Sequence, residues 1–106
     1  MIPFLNLKRI NETYKAEYQA AFERIVDSGW YIMGEELKRF EREFADYCGT
    51  KYCLGVANGL EALILILRAC VELGRLQDGD EVLVPSNTFI ATIQAISQSG
   101  LTPVLV

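Results

Sequence analysis

A chain of 106 residues, 51% of them hydrophobic, can close one domain at most around a core. Its formal net charge of −4, with no long single-sign block, excludes a basic footprint for nucleic acid or an anionic membrane surface as the main partner. The start Met1-Ile2-Pro3-Phe4-Leu5 lacks a charged n-region and the longest apolar run, residues 62–67, is too short to cross a bilayer, so a cytoplasmic chain is expected.

In chain order, residues 11–27 place Tyr14, Tyr18, Phe22 and Ile25 at helical spacing after Asn11 as a cap, which predicts an amphipathic helix. Ser28-Gly29 turns the chain into an aromatic connector, Trp30-Tyr31-Ile32-Met33-Gly34. Leu37, Phe40, Phe44 and Tyr47 then renew the helical pattern over 35–47. The opposite face, with Glu35, Glu36, Lys38, Arg39, Arg42 and Glu43, reads as solvated surface and not as a site.

After Gly49 the pattern changes. Residues 52–57 form a short apolar run suited to a buried strand, and residues 59–73 a helix long enough to cross over a sheet. Gly74 and Asp78-Gly79-Asp80 close that helix. A second strand over 81–85, a helix over 88–98 and a third strand over 102–106 complete an α/β pattern. The expectation is a helical segment over 1–50, then a βαβαβ parallel-sheet segment over 51–106. No repeat, low-complexity tract or linker interrupts it. Leu101-Thr102-Pro103-Val104-Leu105-Val106 stops inside an apolar strand, so the chain reads as cut short. Three strands and two crossover helices would leave much of the sheet uncovered, and its edge would invite self-association.

Cys48, Cys53 and Cys70 make an odd count without a CxxC pair, and histidine is absent. Reduced structural thiols are expected, with no metal site. A Ser-His or Cys-His catalytic pair is excluded within these residues.

Ligands of an open parallel sheet bind beyond the carboxyl ends of the strands, where two loops fall. In Asn58-Gly59-Leu60-Glu61 the Asn-x-x-Glu spacing approximates a capping box. The backbone N–H groups of Leu60 and Glu61, at the positive end of the helix, form a candidate phosphate cradle. The same residues also read as a capped helix without a ligand. Pro85-Ser86-Asn87-Thr88-Phe89 brings an aromatic to the same rim, and a phosphate site beside a ring points to a planar phosphorylated cofactor. Read alone, Phe89 packs into the core. Tyr31 reads either as approaching the site or as packed on the first two helices. A generic nucleotide-binding domain is weakened because the first turn lacks both G-x-G-x-x-G and G-x-x-x-x-G-K-[ST].

Asn58-Gly59-Leu60-Glu61-Ala62-Leu63, Gly79-Asp80-Glu81-Val82, the run from Val84-Pro85-Ser86 through Asn87-Thr88-Phe89-Ile90-Ala91-Thr92, and the preceding Ser28-Gly29-Trp30-Tyr31-Ile32-Met33-Gly34 together resemble the DegT/DnrJ/EryC1/StrS sugar aminotransferases. The resemblance covers the whole chain in order. It implies the N-terminal portion of a fold type I pyridoxal-phosphate transferase, with residues 51–106 opening its large cofactor domain. It also implies a homodimer that transfers an amino group, usually from glutamate, to a nucleotide-linked keto sugar. By the same resemblance Gly59, Leu60 and Glu61 hold the phosphate of pyridoxal 5′-phosphate and Phe89 stacks on its ring.

The family usually reads Ser-Gly-Thr where this chain has Asn58-Gly59-Leu60, which loses a hydroxyl donor. That variant, with the Trp-Tyr-Ile connector, is similar to enzymes that aminate dTDP-3-keto-6-deoxyhexoses for bacterial surface glycans such as lipopolysaccharide O-antigen. The resemblance places the Schiff-base Lys and the Asp that pairs with the pyridine nitrogen beyond the equivalent of Val106. None of Lys8, Lys15, Lys38 and Lys51 is given that role, so no catalytic residue is assigned and the piece alone is expected to be inactive. A sister group that carries His in place of the Lys dehydrates the same class of substrate. Residues 1–106 do not separate the two. A noncatalytic truncated product that only self-associates is a third reading.

Overall fold

A computed structural model describes residues 4–106. The elements are α1 (Leu7–Thr13), α2 (Lys15–Ser28), α3 (Glu35–Cys48), α4 (Gly59–Glu72), β1 (Glu81–Val84), α5 (Ile90–Gln98) and β2 (Thr102–Leu105). They fall into two compact units, one ending at Leu54 and the other running from Gly55 to Val106.

In the first unit, the single helix expected over 11–27 is two helices. Asn6, not Asn11, starts the first: its Oδ1 accepts the Arg9 N–H at 3.1 Å, which satisfies a donor at the helix start. Asn11 therefore lies inside α1, and its carbonyl accepts the Tyr14 N–H at 3.1 Å where the two helices meet. The aromatic spacing survives the break, with the Tyr14 and Tyr18 rings 6.2 Å apart. On α3, Phe40 and Phe44 stack at 5.4 Å while Lys38–Glu35 and Arg39–Glu43 ion pairs line the helix surface, as a solvated face requires.

The connector between α2 and α3 is held by its own bonds. Gly29 ends α2 in the left-handed region, Ser28 Oγ donates to the Ile25 carbonyl at 2.7 Å, and the same oxygen accepts the Trp30 N–H at 3.1 Å. The Trp30 indole N–H reaches the Ile32 carbonyl at 2.6 Å. Gly34 has a steric reason to be glycine, since a Cβ there would sit 3.0 Å from the Trp30 carbonyl oxygen and 3.3 Å from its ring. Gly34→Ala is expected to destabilise the connector by about 1 kcal/mol through overpacking, read as a lower melting temperature with a shifted emission from Trp30.

Arg24 on α2 grips Glu36 on α3 through two bonds, Nε to Oε1 at 2.9 Å and Nη2 to Oε2 at 3.2 Å. That hydrogen bond holds the Glu36 carboxyl below its ordinary value of 4.5. A depressed carboxyl contributes stability above its ordinary value and loses it as the pH falls through the folded value. Glu36→Gln should therefore flatten the acid limb of the stability curve below the ordinary glutamate range and leave the neutral region nearly unchanged, a contrast that urea unfolding at stepped pH measures.

The second unit is built on β1 and β2, which run parallel with Glu81 opposite Thr102 and Val84 opposite Leu105. Residues 52–57, expected as the first strand, join no ladder, so the expected βαβαβ segment is α4-β1-α5-β2 here. The apolar composition is there, but a strand needs a neighbour for its N–H and C=O groups, and among the described residues only β1 and β2 supply one another. Val82 and Val84 point to the covered face, where Val84, Ile96 and Leu101 form the buried core with Leu67, Val71 and Ile93 around it. On the opposite face Leu83 is 69% exposed.

Two turns tie the amino ends of the strands together. α5 closes with the Leu101 N–H on the Ile96 carbonyl at 3.1 Å and the Gly100 N–H on the Ser97 carbonyl at 3.2 Å, a Schellman pattern whose apolar contact is Ile96 with Leu101. The Gly79 N–H donates to the Gly100 carbonyl at 2.8 Å. Along β2 the N–H groups of Thr102 and Val106 bond to Asp80 and Val84, at 2.9 and 3.0 Å. Strand alternation then places the backbone nitrogens of Pro103 and Leu105 on the side away from β1.

Candidate functional site

The first loop opens a 14-residue helix, α4. Asn58 stands at the cap in extended backbone, φ −166° and ψ 177°, and its Oδ1 accepts the Glu61 N–H at 3.0 Å. The Asn58 carbonyl takes the Ala62 N–H at 3.1 Å. The N–H groups of Gly59 and Leu60 have no acceptor among the described residues. The open donor pair is thus Gly59 and Leu60, where the sequence pointed to Leu60 and Glu61. The same Asn58 that starts the helix uses up Glu61's donor. Glu61 makes no return bond, so half of a capping box forms, and its carboxylate stands exposed in the first turn. A Cβ built on Gly59 would meet nothing within 4 Å, so the space beside these donors is open.

The second loop places Phe89 at the cap position of α5 with its side chain 77% exposed. The core placement that its composition favours does not occur. Its backbone is extended, φ −72° and ψ 140°, which turns the ring away from the face on which Ile93 and Ile96 go inward. The Thr92 N–H donates to the Phe89 carbonyl at 3.1 Å, and the hydroxyls of Thr88 and Thr92 lie 3.3 Å apart. Sequence reasoning missed this bond, although threonines four apart across a helix start are its signal.

Connectivity brings the two loops to one end of the second unit. α5 leaves from the carboxyl end of β1, and α4 packs along α5 while its far end returns through Gly74 and the 77–80 turn to the start of β1. Both helix starts therefore face the carboxyl side of the strands. Two free N–H donors at the positive end of a long helix, with open space before them and an exposed ring on the same side, fit a phosphorylated planar ring. Residues 55–106 contain no lysine. Among the described residues no cluster of His, Cys, Asp or Glu could hold a metal ion, and no helix is long and apolar enough to cross a membrane. Tyr31 belongs to the first unit and is 68% exposed.

The model of the DegT/DnrJ/EryC1/StrS aminotransferase family matches residues 12–106. Among curated proteins, dTDP-3-amino-3,6-dideoxy-alpha-D-galactopyranose transaminase of Aneurinibacillus thermoaerophilus is 61% identical over all of this chain and 28% of its own length. Among solved structures, Streptomyces venezuelae DesV matches with a TM-score of 0.85 at 48% identity, over 99% of this chain and 27% of that one. The E coli GDP-4-keto-6-deoxy-D-mannose-3-dehydratase with bound hydrated PLP matches with a TM-score of 0.76 at 33% identity, over 83% of this chain and 23% of that one. The chain spans about a quarter of the length of the relatives it matches. Helices followed by a parallel α/β segment, superposing in this way, bear out the expected fold class, the N-terminal portion of a fold type I transferase.

Proposed function

Because the chain belongs to the DegT/DnrJ/EryC1/StrS aminotransferase family, we propose that it supplies part of the cofactor site of a pyridoxal-phosphate transferase. That enzyme moves an amino group, from glutamate, to a nucleotide-linked keto sugar, dTDP-3-keto-6-deoxyhexose. The observation that carries this reading is the start of α4, where Asn58 caps the helix and leaves the Gly59 and Leu60 N–H groups open on the side where Phe89 is exposed. Bound pyridoxal phosphate would supply the electron sink and the carrier for the amino group. Gly59 and Leu60 would hold its phosphate through their backbone donors, and Phe89 would lie against its ring. Glu61 contributes by keeping its own N–H in the cap.

The Schiff-base Lys and the Asp for the pyridine nitrogen belong to other segments, so the 106 residues alone are inactive. In the same proposal the boundary falls between residues 50 and 51, and 51–106 are the opening of the large cofactor domain. A homodimer, a cytoplasmic location and a destination in surface polysaccharide belong to the same proposal. A relative at 61% identity that is named a dTDP-amino-sugar transaminase favours amination over dehydration, whose named relative stands at 33%.

Incubating the complete gene product with pyridoxal phosphate, glutamate and a dTDP-3-keto-6-deoxyhexose tests the reading. A 3-amino sugar with matching 2-oxoglutarate supports it. A deoxygenated sugar without lasting amine incorporation moves the protein to the dehydratase group.

A further inference from the structure

We propose that Thr88 and Thr92 form a hydroxyl clip that sets the direction of Phe89, which makes both of them positioning residues of the cofactor site. The inference rests on the reading of Phe89 as the ring that faces the cofactor. An aromatic ring 77% exposed has little packing to fix it. The α5 cap position that Phe89 occupies makes no side-chain cap bond, so the usual device for fixing a helix entry is missing. What spans the turn is the contact between Thr88 Oγ1 and Thr92 Oγ1 at 3.3 Å, which runs from the residue before Phe89 to the third residue after it. Beneath it the Thr92 N–H bonds the Phe89 carbonyl at 3.1 Å, and the root of the loop is pinned where the Ser86 N–H donates to the Val106 carbonyl at 2.8 Å.

These bonds fix the backbone on both sides of Phe89, and hence the direction of its Cα–Cβ bond. Both clip residues are β-branched and stiff at χ1, so closing the pair costs little rotamer freedom. A ring whose direction is set before binding spares the ligand the ordering cost that a free loop would impose. The hydroxyls meet each other at 3.3 Å, so in this proposal their effect reaches the ring through Phe89.

The test uses the complete gene product and two probes, pyridoxine 5′-phosphate, which cannot form a Schiff base, and inorganic phosphate. Thr92→Val keeps the shape and removes the hydroxyl. It is expected to weaken pyridoxine phosphate by about threefold to tenfold, the worth of one hydrogen bond, while inorganic phosphate binds as before. Thr92→Ser, which restores the hydroxyl, should recover most of the loss. Unchanged pyridoxine phosphate affinity in Thr92→Val overturns the clip, and so does an equal loss for both probes, which marks general damage to the loop. If the unaltered protein binds pyridoxine phosphate no more tightly than phosphate, the role given to Phe89 falls and takes the clip with it.

Discussion

Asn58→Asp is expected to cost about tenfold to a hundredfold in pyridoxal phosphate affinity while α4 keeps its cap. Asp and Asn cap helices about equally well, so the bond to the Glu61 N–H survives the change. The new carboxylate stands one and two residues from the Gly59 and Leu60 donors and faces a ligand that carries nearly two negative charges. At such separations, in a partly solvated site, like charges repel by about 1 to 3 kcal/mol, which is the affinity loss given above. Two companion variants separate charge from fold. Asn58→Ser keeps a neutral cap and should bind nearly as the unaltered protein does. Asn58→Ala should lose about 1 kcal/mol of stability with a smaller loss of affinity. Spectral titration gives the affinities and thermal unfolding gives the stabilities. An Asp variant that binds as tightly as the Ser variant would remove the phosphate from the start of α4.

The second large effect concerns folding. Gly100→Ala should lower stability by about 1 to 2 kcal/mol, a large share of what a unit with so thin a core can hold. Gly100 has φ 79°, and the place its Cβ would take is occupied by Asp78 Oδ1. At the end of α3 the N–H groups of Gly49 and Thr50 make the same pair of closing bonds, and Gly49 has φ 67° with nothing near its missing Cβ. Gly49→Ala therefore pays for the left-handed backbone alone, about 1 kcal/mol. The excess at Gly100 measures the displacement of Asp78 and of the turn that Gly79 latches to the Gly100 carbonyl. Adding Asp78→Ala to Gly100→Ala should recover that excess and leave the backbone part. Equal losses at the two glycines would show that Asp78 yields without cost.

Legibility in the sequence followed the range of the forces involved. The ends of α3, α4, β1 and β2 came out within a residue or two, because caps, glycines and apolar period act over a single turn. The Asn58 cap was legible for the same reason. The break at Tyr14 was not, since Asn6 and Asn11 are equally good caps on paper and their competition is decided by which helix register the chain takes. Residues 52–57 had the composition of a strand, but pairing is a property of two segments. Phe89 was the instructive case at the site. Its apolar character argued for burial, and one extended ψ at the cap was enough to point it outward. Which of the Leu60 and Glu61 donors remained open depended on the reach of a single side chain.

Pro103 decides in which direction the sheet can grow. Its ring nitrogen lies on the flank of β2 away from β1, so that flank lacks a donor in the middle of its short row. A further strand laid there would meet a gap where a hydrogen bond should be. β1 carries no proline between Glu81 and Val84, and its outer flank keeps its donors. The same gap blunts β2 as a template for stray chains during synthesis, when a bare apolar ribbon is most exposed to mispairing. One imino acid thereby marks β2 as the border of the sheet and leaves β1 as the side on which neighbours add.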